Sequence, residues 1–170
     1  MTPTVNESKE ITMKWKDALE RWGMTSLKLS VGFLETEWQP SDPDRDAAWD
    51  LYVELLTRIT TQPLPDQVGV EKTALDSIHS LFATTRGILR ARGRQCVEFT
   101  KLAVIVLNQI VRPFTDKWHS LSEQGAFSND ENRNAFRREL RDVKQQLVAY
   151  ARALADIAGV EDLTDLGRRA

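Results

Sequence analysis

Arg86, Arg90, Arg92 and Arg94 fall within nine positions, and no aspartate or glutamate lies between Asp76 and Glu98 to neutralise them. Arg86 and Arg90 are one helical turn apart, and Arg94 continues their face if a helix runs through Gly93. A guanidinium offers its donors in a planar fork and grips phosphate or carboxylate with two of them at once. The run is therefore a candidate anion-binding site for nucleic acid, a nucleotide or an acidic partner. Its plainer reading is a solvated helix end, where cations offset the helix dipole. A second group, Arg133, Arg137, Arg138 and Arg141, has Glu139 and Asp142 interleaved and reads as a solvated helix face with local ion pairs. Arg112 directly precedes Pro113 beside an apolar run, so it is expected partly buried against a carboxylate.

Only two histidines occur, His79 and His119. Asp76 stands three residues before His79, and a carboxylate there could orient an imidazole base, so an enzyme built around His79 and Asp76 is one functional class to weigh. The simpler reading of His79 is a boundary histidine held by a local hydrogen bond. His119, beside Trp118 near a helix end, is explained by the helix dipole. Glu-x-x-His is absent, Glu35 and Glu37 fall on an irregular stretch, and Glu98 stands alone, so a carboxylate-bridged di-iron centre lacks its ligands. No Gly-rich phosphate loop, Gly-x-Ser-x-Gly elbow or His-Glu-x-x-His motif is present. The single cysteine, Cys96, excludes an intrachain disulfide and a thiolate metal cluster, and it reads as a small buried hydrophobe. No metal and no cofactor is expected.

The surrounding composition is globular: of 170 residues, 41% are hydrophobic and 28% charged, with a formal net charge of −2. That charge gives no global attraction to nucleic acid or an anionic membrane. Residues 1–10 have no apolar stretch of the kind a signal peptide needs. The longest apolar run, Leu102 to Leu107, is far shorter than the ~20 residues that cross a bilayer. Together with the lone cysteine this favours a cytoplasmic protein without a membrane partner.

The elements that would position these residues are helices. Ile11, Trp15, Ala18 and Trp22 share one face and predict a first helix over 8–22, stopped by Gly23. Leu27, Leu29, Val31 and Phe33 alternate with polar residues, so 24–40 is expected to be an irregular, partly extended arm, with a short helix as the runner-up. Ser41-Asp42-Pro43-Asp44 caps a second helix reaching about Thr61. Its face is Ala48, Leu51, Tyr52, Leu55 and Ile59, widened by Trp49, Val53 and Leu56. A third helix is expected over 70–92, ended by Gly93, and a fourth over 94–121. The fourth is apolar all round from Leu102 to Leu107, which predicts a central position with Val104 in the interior. Pro113 should kink or break it between Gln109 and Pro113. Ser128 and Glu131 form a candidate capping box for a last helix ending at Ala158 before Gly159. Its seam of Phe136, Leu140, Val143, Leu147, Tyr150, Leu154 and Ile157 is the strongest periodic signal in the chain. Val160 to Leu166 could add one short helix.

These elements predict an all-α, single-domain bundle of about five helices over 1–170, with 1–7 and 167–170 frayed and the arm at 24–40. Five tryptophans are many for this length. Core packing is their default role, yet Trp15, Trp22, Phe33 and Trp38 gather more apolar surface on a short helix and an arm than these elements need. Those four are candidate partner-binding residues. The resulting expectation is a non-enzymatic interaction protein, an adaptor or accessory subunit of a larger bacterial-type assembly, meeting another protein or a second copy of itself. The anion-binding module on Arg86, Arg90, Arg92 and Arg94 is the alternative.

Overall fold

The computed structural model describes residues 13–58 and 70–166. Its elements, in chain order, are β1 (Met13–Lys14), α1 (Trp15–Arg21), α2 (Val31–Leu34), β2 (Glu37–Trp38), α3 (Asp42–Leu56), α4 (Val70–His79), α5 (Leu81–Arg92), α6 (Val97–Val106), a π-helical segment Leu107–Val111, α7 (Arg112–Glu123), a 3-10 turn Ala126–Ser128 and α8 (Asp130–Ala158). This is an all-α bundle, with a single two-residue ribbon among the described residues. No helix among them is long and apolar enough to cross a membrane.

α8 carries the longest seam. All seven residues of its expected stripe, from Phe136 to Ile157, are buried, and Gly159 ends the helix at a left-handed φ of 72°. α3 lies along α8 and also receives α5 and α6. Ala48, Leu51, Tyr52 and Leu55 are buried as expected, but the widening residues Trp49 and Val53 are exposed, so α3 is apolar on fewer sides than its sequence implies. Ile59 and Thr61 lie outside the described residues, and α3 ends at Leu56. Its start is the expected one: Pro43 sits in the first turn, Ser41 Oγ accepts from Asp44 N, and the Asp44 carboxylate accepts from Ser41 N at 2.8 Å.

Several boundaries depart from the sequence reading for identifiable reasons. The first helix starts at Trp15. Residues 8–12 lie outside the described residues, while Met13 and Lys14 are extended because they pair antiparallel with Trp38 and Glu37. The arm's strand is therefore at its end, and the alternating segment contributes the helical turn α2 instead, capped by Ser30 Oγ accepting from Phe33 N at 3.2 Å. The expected helix over 70–92 is divided at Ser80. There Ser80 Oγ donates to Ser77 O at 2.7 Å and receives Arg58, which also reaches Thr84 and Glu54. A serine bonded back to its own helix bends it, and the tether from α3 fixes the bend. The last helix is capped by Asn129, whose Oδ1 accepts from Asn132 N at 3.1 Å; Ser128 is instead occupied with Gly125 O inside the 3-10 turn. Residues 160–166 form no regular helix. They are pinned by Leu163 N donating to Tyr52 Oη at 2.7 Å and by Arg152 pairing with Asp162 and Asp165.

The helix does not stop before Pro113: in place of the expected kink or break between Gln109 and Pro113, a π-helical segment at Leu107–Val111, starting two residues earlier, joins α6 directly to α7. Proline offers no N–H and crowds the carbonyl four residues back, at Gln109, so the wider turns absorb the misfit. Thr115 Oγ1 donates back to the Val111 and Arg112 carbonyls at the start of α7.

Asp44 joins the two halves of the bundle. It is 1% exposed, and besides capping its own helix it accepts from Phe99 N, in the first turn of α6, at 2.9 Å. One carboxylate thus serves the N-termini of α3 and α6, where anions are favoured twice over. Asp44→Ala should cost about 2–4 kcal/mol, since it strands a buried N–H and deletes a cap. Asp44→Asn keeps one acceptor oxygen and should cost less. Urea unfolding of the three proteins checks this; a loss for alanine below about 0.5 kcal/mol would show that α6 is held some other way.

Candidate functional site

α6 has two faces. Phe99, Leu102, Ala103 and Val106 are fully buried against the bundle. Val97, Thr100, Lys101, Val104 and Ile105 follow i, i+3, i+4, i+7, i+8 spacing on the other side, with Val97, Lys101 and Val104 exposed and Thr100 and Ile105 half-buried. Val97 is 49% and Val104 46% exposed. The run from Leu102 to Leu107 is thus apolar all round without being central, and the expectation that Val104 is interior is overturned. Its outer stripe forms one wall of an open groove of about 720 Å³, whose other wall is Leu29, Ser30 and Phe33 of the arm.

The arm is fixed opposite α6 by polar bonds of high specificity. Lys28 N donates to Gln109 Oε1 at 2.8 Å, and Gln109 Nε2 returns to Lys28 O at 2.9 Å. Gln109 itself stands in the π-helical segment. Below the groove, the Trp15 ring packs on Phe33 at 4.9 Å and on Trp38 at 4.7 Å, and its indole N–H donates to Glu98 of α6 at 3.1 Å. Glu98 also holds Lys101 at 2.7 Å. The rim is cationic: Lys28, Arg94 and Lys101 all line the groove. Lys101 is balanced by Glu98, whereas Lys28 and Arg94 have no ion pair among the described residues. The groove thus sets apolar side chains beside two cations without an ion pair among the described residues.

The residues singled out from the sequence are distributed as follows. Of the partner-binding set, Trp15, Trp22 and Trp38 are buried within the chain, with Trp15 and Trp22 each packed edge to face on Trp38 and Trp22 donating to Asp156 at 2.9 Å. Core packing accounts for them. Phe33 alone reaches the surface, as a wall of the groove. The arginine run is divided. Arg92 is held by Asp50 at 2.7 Å and faces Asp46, Arg90 is exposed, and Gly93, at φ 78°, ends the helix before Arg94 can continue the face. Arg94 joins the groove, and Arg86 lines a separate cleft with His79, Arg112 and Asp116. Arg112 is exposed and hydrogen-bonded to Asn108, so the expected carboxylate partner is absent among the described residues. The second basic group is not wholly solvated either: Arg137 grips Glu71, which is 1% exposed. Cys96 is buried, its thiol 3.1 Å from Gly93 O.

The two histidines, far apart in sequence, come together with ring centres 4.9 Å apart, edge to face. Asp76 is paired with Lys72 at 2.8 Å and makes no hydrogen bond to His79 among the described residues, so the base-and-orienter pair is not assembled. No group of three or more His, Cys, Asp or Glu among the described residues could hold a metal ion. What sequence reasoning missed was the outer stripe of α6. Its signal was present: Val97, Val104 and Ile105 share a face with Thr100 and Lys101, polar residues that a fully buried helix does not place together.

Compared with protein-family models, curated proteins and solved structures, the chain matches none.

Two consequences can be measured. Val104→Asp should leave the unfolding free energy within about 0.5 kcal/mol of wild type, as for other exposed positions. A loss of several kcal/mol would mean that the stripe is covered. His119 is held below the usual imidazole range, first by burial, then by His79 and Lys72, against the opposing pull of Asp76 and Glu123. The unfolded chain therefore takes up this proton at higher pH than the native one. The contribution is complete above pH ~6.5 and is lost as pH falls through the lowered native value. Between pH 7.5 and 5, wild type should lose more stability than His119→Gln; parallel losses would dismiss the effect.

Proposed function

We propose that this chain is a non-enzymatic interaction module, an adaptor or accessory subunit, whose groove receives an acidic amphipathic helix from a partner protein. The observation that carries the reading is the second apolar stripe of α6, at helix-packing spacing, lying uncovered between cations. An isolated exposed valine needs no explanation, but Val97, Val104, Ile105, Leu29 and Phe33 form one contiguous patch. The stripe from 97 to 105 rises about 12 Å, which suits two to three turns of a docked helix. The groove is open along its length, so it favours an occupant whose far side stays in water over an acyl chain, which would need enclosure on most of its surface. Lys28 and Arg94 supply the complement to acidic residues at the edges of such a helix.

The test uses a synthetic helical peptide with leucines at i, i+3, i+4 and i+7 and glutamates flanking them, beside a scrambled peptide of identical composition. Wild type should bind the patterned peptide at least tenfold more tightly than the scrambled one. Val104→Asp, placing a charge on the floor, should weaken binding roughly ten- to thirtyfold, about 1.4–2 kcal/mol, with the fold intact. Lys28→Gln with Arg94→Gln should also weaken it and largely remove its salt dependence. Equal binding of the two peptides, no effect of Val104→Asp, or concentration-dependent dimerisation that Val104→Asp abolishes would each reject a heterologous helix as the occupant.

A further inference from the structure

A second, smaller recess lies between the α4–α5 joint and α7. It has a volume of about 230 Å³, and its walls include His79, Phe82, Arg86, Arg112 and Asp116. Two arginines from different helices converge there. Arg112 is held at two points: its guanidinium lies 4.7 Å from the centre of the Phe82 ring, and its Nε donates to Asn108 Oδ1 at 3.0 Å. That leaves its terminal nitrogens without a partner among the described residues. Arg86 likewise makes no hydrogen bond or ion pair among them. In the same chain Arg92, Arg133 and Arg137 each hold a carboxylate. His79 is a further wall residue, its ring steadied by Phe82 at 5.7 Å and by His119 at 4.9 Å.

We propose that this cleft binds the phosphate group of a small phosphomonoester, gripped between Arg86 and Arg112 with His79 as a third donor. Donor number points to this class. Arg86 and Arg112 outweigh the single carboxylate, Asp116, so the cleft favours an anion, and two guanidinium forks with an imidazole beside them offer more donors than one carboxylate, which a single bidentate arginine can satisfy, would use. Donors arriving from α5, α7 and the end of α4 suit an anion with three terminal oxygens. Size points the same way. The volume equals roughly seven or eight waters at ~30 Å³ each, enough for a phosphate and a few attached atoms. It admits one such group, not a length of nucleic-acid backbone. Arg90, Arg92 and Arg94, which a backbone-tracking surface would have enlisted, are placed elsewhere.

Isothermal titration at low, constant ionic strength, with inorganic phosphate and glycerol phosphate as probes, decides the matter. Wild type should bind both saturably. Arg86→Gln and Arg112→Gln should each weaken binding at least tenfold. Asp116→Asn, which removes the opposing charge, should strengthen it severalfold, a gain that a misfolded variant cannot mimic. Val104→Asp should leave it unchanged, which separates this site from the groove. Melting curves of the arginine variants within a few degrees of wild type establish that the loss is local; because Arg112 also stacks on Phe82, the exposed Arg86 is the deciding position. Absence of saturable phosphate binding, undiminished binding by Arg86→Gln, or tighter binding of a short DNA duplex than of glycerol phosphate at physiological salt would each overturn the proposal.

Discussion

The buried carboxylate of Asp44 is the constraint around which the rest is arranged. A charge that is 1% exposed is tolerated only if donors replace its water, and three do: Ser41 N, Ser41 Oγ and Phe99 N. Two of these belong to the start of α3 and one to the start of α6. The two helices therefore cannot slide along each other without stranding both a carboxylate and a backbone N–H. α3 is in turn the element against which α5 and α8 pack, so fixing α6 to α3 fixes α6 to the bundle. Which face of α6 is left outward, and hence the existence of the groove, follows from this junction.

A related device recurs at three joints. Trp15, Trp22 and Trp118 each donate an indole N–H to a carboxylate on another helix, respectively Glu98, Asp156 and Glu139. Each carboxylate also holds a cation, respectively Lys101, Arg21 and Lys117. The large ring supplies apolar burial while the N–H, which would be costly to leave unpaired, finds an acceptor at the edge of the core. The cation offsets the charge that the acceptor brings. Such joints orient a ring as well as bury it, because rotation would break the hydrogen bond. The Trp15 joint matters most for the groove, since it ties α1, the arm and α6 together beneath Phe33.

How far the sequence reveals this depends on whether the information is local. The α8 seam, the stop at Gly159 and the α3 start are all written within a few residues, and all are where the sequence places them; the disturbance before Pro113 is written there too, but as a π-helical segment that begins two residues early and does not stop the helix. The ribbon between 13–14 and 37–38 is not, because two-residue strands have no periodicity to detect. The division at Ser80 depends on Arg58, more than twenty positions away. The site was legible in its residue types and illegible in its grouping. Phe33 and Arg94 were singled out for different reasons and share one groove; Arg86 and Arg94 were singled out for one reason and do not share a site. Gly93 separates them, and its stop was itself predictable, so the weak step was carrying the face of α5 across it. The error at Val104 has a different source. An all-round apolar helix is expected to be surrounded, but that rule counts only the neighbours within one chain.

That last point bears on why α6 keeps its outer stripe. A helix with one buried face gains nothing in its own stability from Val97, Val104 and Ile105, and an exposed apolar patch carries an aggregation cost. Lysine or glutamate at those positions would serve solubility and helix propensity better. The arm opposite is not left slack either: the paired bonds between Lys28 and Gln109, the ribbon and the Trp15 cluster fix it beside α6, and closing it onto the stripe would cost those bonds. A wall fixed by specific hydrogen bonds beside a partly exposed apolar stripe is what supports reading the groove as a docking surface, and the cations at the rim are what support an acidic occupant. The cleft at Arg86 and Arg112 repeats the logic in polar form, with an arginine braced by Phe82 and Asn108 while its terminal donors stay available. In both places groups are fixed by bonds made elsewhere while their outward atoms lack a partner among the described residues, and that pairing of rigidity with unused capacity is what the two proposed sites rest on.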